Sequence, residues 1–502
     1  MTRVAVIGGG HNALVAAAYL AKSGFDVDLL DKADTPGGLA RSRPIAEGHE
    51  SLGTLSDTAR FRGWVEDELE LSKVGLQRVA KTHRLTLHKP EAPPIYVHGN
   101  TADGSSAESH KRSYQAFIEF LTRISPTLRT VIDQTPLDPL GPVMPLLGPL
   151  LKVRRLGAKD MTEVMRISSM CIADWLRDSL EDERLGAGLC LDGLDGTWAG
   201  PWSPWTALNY LLKWTTQGTP IVGGAPALAK ALIERAEQLG ARLHLQRTVT
   251  KIVVENNVVR GVEFENGQMH QADIVLSALD PKMTFLNLVS RGATPPSLIR
   301  RVDNIRMRGT TAILDVALSG RPVDHVGTSI ERLRNAHSFD QIEQAFDCSK
   351  YGRASAHPII DILVMDASGG AICPDGHSIA SVTVRYARML SNDGLSEQDR
   401  AEFKSCIYSA IESACPGFRK MVIADRLQTP DDLHRDYGLS GGHLDQGEMA
   451  PDQLLFMRPT IELSKYKTPI SGLYLCSNGS HPGGGLTGVA GALAAKNIIK
   501  NP

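Results

Sequence analysis

Four apolar, β-prone positions in a row, Val4 to Ile7, open the chain and give way at once to glycine. A run without polar alternation predicts a central parallel strand buried on both faces. Small and apolar residues then recur along a predicted helix, Ala13 to Ser23, and Phe25 to Leu30 predict a second strand that ends in Asp31. The link between strand and helix is Gly8-Gly-Gly10-His11-Asn12-Ala13. Gly8 suits the tight turn, Gly10 lets the backbone approach a pyrophosphate, and Ala13, in place of a third glycine, lets the helix lie close on the sheet. His11 and Asn12 stand at the helix start, where free N–H groups and the dipole favour an anion. Asp31 lies 18 residues beyond Ala13, the distance at which a carboxylate accepts the hydroxyls of an adenosine ribose. Lys32 follows it rather than an arginine pair, so no 2′-phosphate is expected.

Further along, the periods alternate. Leu85–His88 and Ile95–His98 predict short strands around the prolines at 90–94, and from Ser105 to about Leu185 the spacing is helical. Inside that stretch, 136–156 is dense in Leu, Pro and Gly and closes on Lys152, Arg154 and Arg155. It reads either as a proline-broken core hairpin or as a surface that touches a membrane or admits substrate. Trp198, Trp202, Trp205, Tyr210 and Trp214 form an aromatic cluster suited to lining a pocket or to ordinary packing. A helix over Ala227–Leu239, a strand over Ala241–Gln246, a hairpin turning at Asn256-Asn257 and a buried strand over 272–278 follow. Strands at Thr310–Leu318, Ile359–Met365 and Ser378–Val384 and a helix at Glu397–Ala414 make a second sheet region. Leu473–Leu475, a glycine loop through Gly479 and a helix entered at Thr487-Gly488-Val489 close the chain as strand, loop and helix.

Length and charge narrow the class. Two or three domains suit 502 residues. With 54 basic and 56 acidic residues and no basic run, nothing attracts nucleic acid. No apolar run approaches the roughly 18–20 residues that span a bilayer. The first strand begins at residue 3, which leaves no room for a signal peptide, and a cytoplasmic location, peripheral to a membrane at most, is expected. The seven cysteines form no C-x-x-C pair and no zinc spacing occurs, so neither a redox disulfide nor a metal is expected.

The cofactor is named by resemblance. Thr35-Pro-Gly37-Gly38-Leu-Ala-Arg41-Ser42 is similar to the G-G-x-x-R-[ST] continuation of the two-dinucleotide-binding-domain flavoproteins, which hold FAD. Gly10-His11-Asn12, Asp280-Pro281, Arg458-Pro459 and His481-Pro-Gly-Gly-Gly extend the likeness to the phytoene (carotenoid) desaturase-related flavoproteins, nearest their pyridine nucleotide-disulfide oxidoreductase domain-containing protein 2 branch. The resemblance implies an α/β fold: a discontinuous Rossmann-like FAD-binding domain (1–80, 221–290 and 455–502), a helical substrate or lid region (81–220) and a mixed α+β substrate-binding sheet region (291–454). It further implies that the backbone at Val249 faces the adenine. The helix entered at Thr487–Val489, with Gly479 and Asn478 before it, can face the flavin; Asn478 stands where many relatives carry an acid.

The expected activity is FAD-dependent dehydrogenation of a largely hydrophobic small molecule by hydride transfer to flavin N5, with oxygen or a quinone as electron acceptor. Tyr437, His443 and Arg458 are the candidate catalytic groups; a histidine near pKa 6.5 suits proton removal coupled to hydride loss. The alternatives are a redox-neutral isomerase of a polyene, or a flavoprotein-like binding or scaffold protein with little turnover.

Overall fold

Five parallel strands form one layer, in the spatial order Leu473–Leu475, Ile274–Ser277, Arg3–Ile7, Asp26–Leu30 and Arg242–His244. The computed structural model that shows them describes residues 1–104, 108–136, 154, 156–387 and 395–501. The central strand is covered on both sides, as its unbroken apolar run requires. Val4 and Val6 pack toward helices His11–Lys22, Gly224–Gln238 and Val489–Lys500. Ala5 and Ile7 pack toward Ile252, Val262 and Phe285, on the side of an antiparallel three-stranded sheet, Val249–Glu255, Val258–Phe264 and Met269–Gln271. The first helix begins at His11, two residues earlier than expected, because Gly10 is itself the extended cap (φ −72°, ψ 170°).

Small residues set the spacing of this layer. Ala13, Ala16 and Ala17 are fully buried, and a Cβ added at Gly491 of the C-terminal helix would fall 2.1 Å from the Asn12 carbonyl oxygen. The two helices that carry the chain's ends therefore touch backbone to backbone.

A mixed eight-stranded sheet forms the second layer. Its order is Val422–Gln428, Ala312–Leu318, Ser378–Arg385, Ile359–Asp366, Arg332–Arg334, Leu85–Lys89, Ala92–His98 and Thr101–Asp103. All neighbours are antiparallel except Arg332–Arg334 beside Leu85–Lys89, which run parallel. The region expected to be a helical insertion over 81–220 thus starts with three strands that complete this sheet, and its helices run from Glu108 onward. Leu85 and Leu87 alternate in-facing along their strand, yet a partner 247 residues away in sequence carries no local signal.

Four of the five clustered aromatics, all but Trp205, belong to or pack against the core. Tyr210 lies against Phe117 and Trp175 with Trp214 stacked on it, while Trp198 meets Phe346 and Trp202 meets Phe339. None of the five lines the two large cavities described below. Most of the 136–156 segment, and with it the choice between core hairpin and membrane-touching surface, lies outside the described residues. Among the described residues no helix is long and apolar enough to cross a membrane, and no cluster of His, Cys, Asp and Glu could hold a metal ion.

Candidate active site

Two cavities lie against the Gly442–Gln446 loop, which supplies wall residues to both. The first runs over the carboxyl ends of the parallel strands and is lined by Gly8, Gly10, Asp31, Arg41, Val249 and Asn478, among others. Gly8 takes φ +94°, which a side chain would strain. A Cβ at Gly10 would meet nothing within 4 Å, so its α-carbon borders the open cleft. Gly9, which sequence reasoning passed over, is equally constrained: a Cβ there would fall 2.3 Å from the Asp31 carboxylate. That contact is invisible in the motif because it needs the second strand to be placed.

The cleft suits FAD. The first turn of helix His11–Lys22 has no side-chain cap and no acidic residue, leaving its N–H groups and positive dipole end to an anion. Asp31 accepts the Ala33 N–H through one oxygen at 3.0 Å, and the other oxygen is given no protein donor among the described residues. Arg41 is anchored to the Thr35 carbonyl (2.8 Å), while its Nε is buried without a partner, a donor waiting for an acceptor. Gly37 and Gly38 press on the first glycine turn: Gly37 N–H donates to Gly9 O at 2.7 Å, and a Cβ at Gly38 would reach Gly10 Cα at 2.9 Å. His11, Asn12, Ala13 and Lys32 also line the cleft. Burial lowers the His11 pKa to about 4, so its imidazole is neutral.

Asn478 has a local explanation. Asn12 donates its side-chain amide to the Asn478 side-chain oxygen (2.8 Å) and accepts the Gly491 N–H (3.3 Å), so the amide pair ties the first helix to the last. Gly479, Thr487, Gly488 and Val489 line neither cavity. Gly479 N–H is held by Ser477 Oγ and the Gln446 side chain, and Thr487 O accepts from Arg62 N–H. Gly485 and Leu486, just upstream, reach the second cavity instead. The segment approaches the site a few residues earlier than expected because its glycines at 483–485 all take positive φ and turn the chain before the helix begins.

The second cavity lies between the cofactor layer and the inner face of the large sheet. Ser381, Thr383 and Arg385 on one strand and Asp361, Leu363 and Met365 on the next alternate inward with the period of two. His443, Leu444 and Asp445 face them from the junction loop.

The three catalytic candidates separate here. His443 is buried in the second cavity wall; Asp445 N–H donates to its Nδ1 at 3.2 Å, and burial pulls its pKa below the usual value. A neutral ring that accepts at Nδ1 carries its proton on Nε2, and hydrogen bonding to the Gly196 backbone partly offsets the effect of burial on the ring. Tyr437 lines the cofactor cleft instead, with its hydroxyl 2.8 Å from Thr54 Oγ1 and the Arg43 guanidinium over its ring. Arg458 lines neither cavity. Its guanidinium is enclosed by carbonyls of Asp445, Gly447, Glu448, Gln453 and Asn478, all within 3.3 Å, and burial lowers its pKa to about 10. Every donor is spent on backbone, so Arg458 holds the junction loop and is not placed to touch a substrate.

With this geometry in place the comparisons are informative. Residues 6–58 match the NAD(P)-binding Rossmann-like domain, and residues 152–371 match the flavin containing amine oxidoreductases. The chain is an FAD-dependent oxidoreductase. This oxidoreductase is 28% identical to the rat pyridine nucleotide-disulfide oxidoreductase domain-containing protein 2, covering 99% of this chain and 93% of that one. It is 24% identical to the hydroxyneurosporene desaturase of Cereibacter sphaeroides, over 99% and 97% of the two chains. The resemblance to the phytoene desaturase-related flavoproteins therefore runs from end to end. An oxidoreductase from Methanosarcina mazei shares the fold with a TM-score of 0.62 at 16% identity, over 99% of this chain and 100% of that one.

Proposed function

We propose that this oxidoreductase dehydrogenates a small organic molecule held in the second cavity, with residues 1–80, 221–290 and 455–502 holding the cofactor. FAD, when bound, supplies a two-electron acceptor for the hydride lost from a substrate C–H bond, on a carbon chain or on a carbon that bears nitrogen. The observation that carries the reading is that one loop walls both cavities, with His443 and Asp445 on the substrate side and Gln446 on the cofactor side. His443 offers its Nε2 proton to an acceptor atom there, and its burial keeps the ring neutral. Arg458 keeps the loop in place. The cavity excludes bulk water on its sheet side with Ile313, Leu363 and Met365, which are apolar and largely buried. The substrate gives up one proton to solvent as it loses the hydride, and an acceptor of the oxygen or quinone class then takes the electron pair together with two protons, one of them from solvent.

The carotenoid relatives support the apolar part of the expected substrate. The test is an anaerobic titration of the purified, FAD-loaded protein with apolar alkenes, alcohols, amines and acids, read by the visible flavin spectrum. Bleaching by one class, with colour returning on admission of oxygen or a quinone, is the expected result. A protein that binds compounds yet bleaches with none would move the reading to redox-neutral isomerisation, seen as product without bleaching, or to a binding role.

A further inference from the structure

The second cavity has an ionised end that neither the dehydrogenation reading nor the resemblance explains. Arg60, Lys213 and Arg385, each more than nine-tenths buried, converge on the single carboxylate of Asp195, with Arg60 at 3.3 Å and Lys213 at 3.1 Å. Behind them Arg334 pairs with Asp192 (2.9 Å) and Asp361 (2.8 Å), and Arg332 also pairs with Asp361 (2.8 Å). Asp57 joins Arg60 and Arg332 from a more exposed position at 3.7–4.0 Å. Five cations thus share four carboxylates. The remaining acid of the cavity, Asp445, faces them from the junction loop and accepts the Gly485 N–H at 2.9 Å.

Which charge this end will accept is decided by the atoms left over. Both oxygens of Asp195 are taken: Oδ2 by Arg60 and Lys213, Oδ1 by Arg385. Arg385 Nε, by contrast, is buried without a hydrogen-bond partner. A buried donor without an acceptor is destabilising, and more so when charged. Burial also drags the Lys213 pKa down to about 8, the mark of a cation whose third share of one carboxylate does not replace its lost hydration. With Asp445 counted, five cations face five carboxylates, and what remains open at this end is one buried guanidinium N–H, on Arg385, that calls for an acceptor atom. The same cavity is also lined by Leu55, Ile221, Ile313, Leu363, Met365 and Leu444.

Resting on the dehydrogenation reading, we propose that the substrate is amphipathic: a carboxylate held by Arg60, Lys213 and Arg385, with an apolar body lying along Ile313, Leu363 and Met365. Unlike the hydrocarbon implied by the resemblance, it is anchored by charge at one end, which fixes which carbon is presented.

Matched compounds that differ only in the head group test this on the FAD-loaded protein. 3-Phenylpropionate, 3-phenylpropanol and 3-phenylpropylamine, with decanoate, decanol and decylamine as the longer set, are titrated anaerobically, and binding is read as perturbation of the flavin spectrum and as thermal shift, apart from any turnover. At neutral pH each carboxylate is expected to bind about tenfold or more tightly than its alcohol, and the amines least well. Arg385→Gln and Lys213→Met are expected to remove that preference, with folding checked separately by circular dichroism and by retention of FAD. Alcohols or amines that bind as well as the carboxylates, or no binding by any carboxylate, would overturn the anion site. Carboxylates that bind selectively but never bleach the flavin would leave the anion site standing and remove the dehydrogenation; bleaching by neutral or cationic compounds alone would do the reverse.

Discussion

A buried imidazole is defined by what its two nitrogens touch. In His443 one nitrogen accepts a backbone N–H, so in the neutral ring the other carries the proton, and the proposed mechanism uses that N–H. His443→Phe is expected to slow anaerobic flavin reduction about 10²–10³-fold, the usual cost of losing one oriented donor. His443→Gln, which keeps an N–H, is expected to recover much of that rate; a rate as low as that of the Phe variant would restore the proton-acceptor role. Because burial lowers the ring's pKa, reduction should be insensitive to pH around neutrality and fall only below the ordinary histidine range, where protonating Nδ1 breaks the Asp445 contact. Arg458 behaves differently, since its bonds end on five backbone carbonyls. Arg458→Met is expected to lower stability by about 3–5 kcal/mol, measured by denaturant unfolding, because buried acceptors are left without donors. If it folded normally and lost only turnover, the purely architectural role would be wrong.

Two glycines at opposite ends of the chain separate the demands of the cofactor from those of the fold. Gly10 stands at the open edge of the cleft, where an added side chain meets no protein atom, and its φ of −72° is open to any residue. Gly491 sits in the last helix, where a Cβ would overlap the Asn12 carbonyl. Gly10→Val is therefore expected to yield a folded, colourless protein that takes up no FAD, with circular dichroism unchanged. Gly491→Val is expected to prise the two helices apart and lower the melting temperature of apo and holo protein alike. A yellow Gly10→Val protein would mean that the pyrophosphate does not pass over that turn.

For the molecule as a whole, the charged network between the two layers links pH to both stability and binding. Lys213 is the cation whose pKa falls, to about 8, chiefly through burial, against the partial support of Asp195. A depressed lysine pKa means that the unfolded chain binds the extra proton, so its penalty is full below about pH 8 and is relieved as pH rises toward the unfolded value near 10.5. Relative to Lys213→Met, which cannot titrate, the wild type should gain stability across that window in urea unfolding, while its affinity for carboxylates declines. Parallel pH curves for the two proteins would show that Lys213 stays charged throughout.

How much of this was legible beforehand follows from the range of the interactions. The first layer was readable almost to the residue, because a buried parallel strand, a glycine turn and a terminal acid are local demands that leave local marks: Val4–Ile7, Gly8, Gly10 and Asp31 could each be assigned from neighbours a few positions away. The strands at 312–318, 359–366 and 378–385 showed themselves by the same local propensity. The ionised end of the second cavity left no such mark. Its members come from positions 60, 195, 213, 332, 361 and 385, and an arginine or aspartate on a strand looks like a solvent-facing residue until the opposite layer covers it. The proton on His443 and the enclosure of Arg458 likewise depend on which backbone groups the fold brings within hydrogen-bonding distance. By itself the sequence determined that the chain builds a dinucleotide site and where. Only the tertiary structure decided what surrounds the substrate, because charge pairing and hydrogen bonding act through space between segments that the chain keeps far apart.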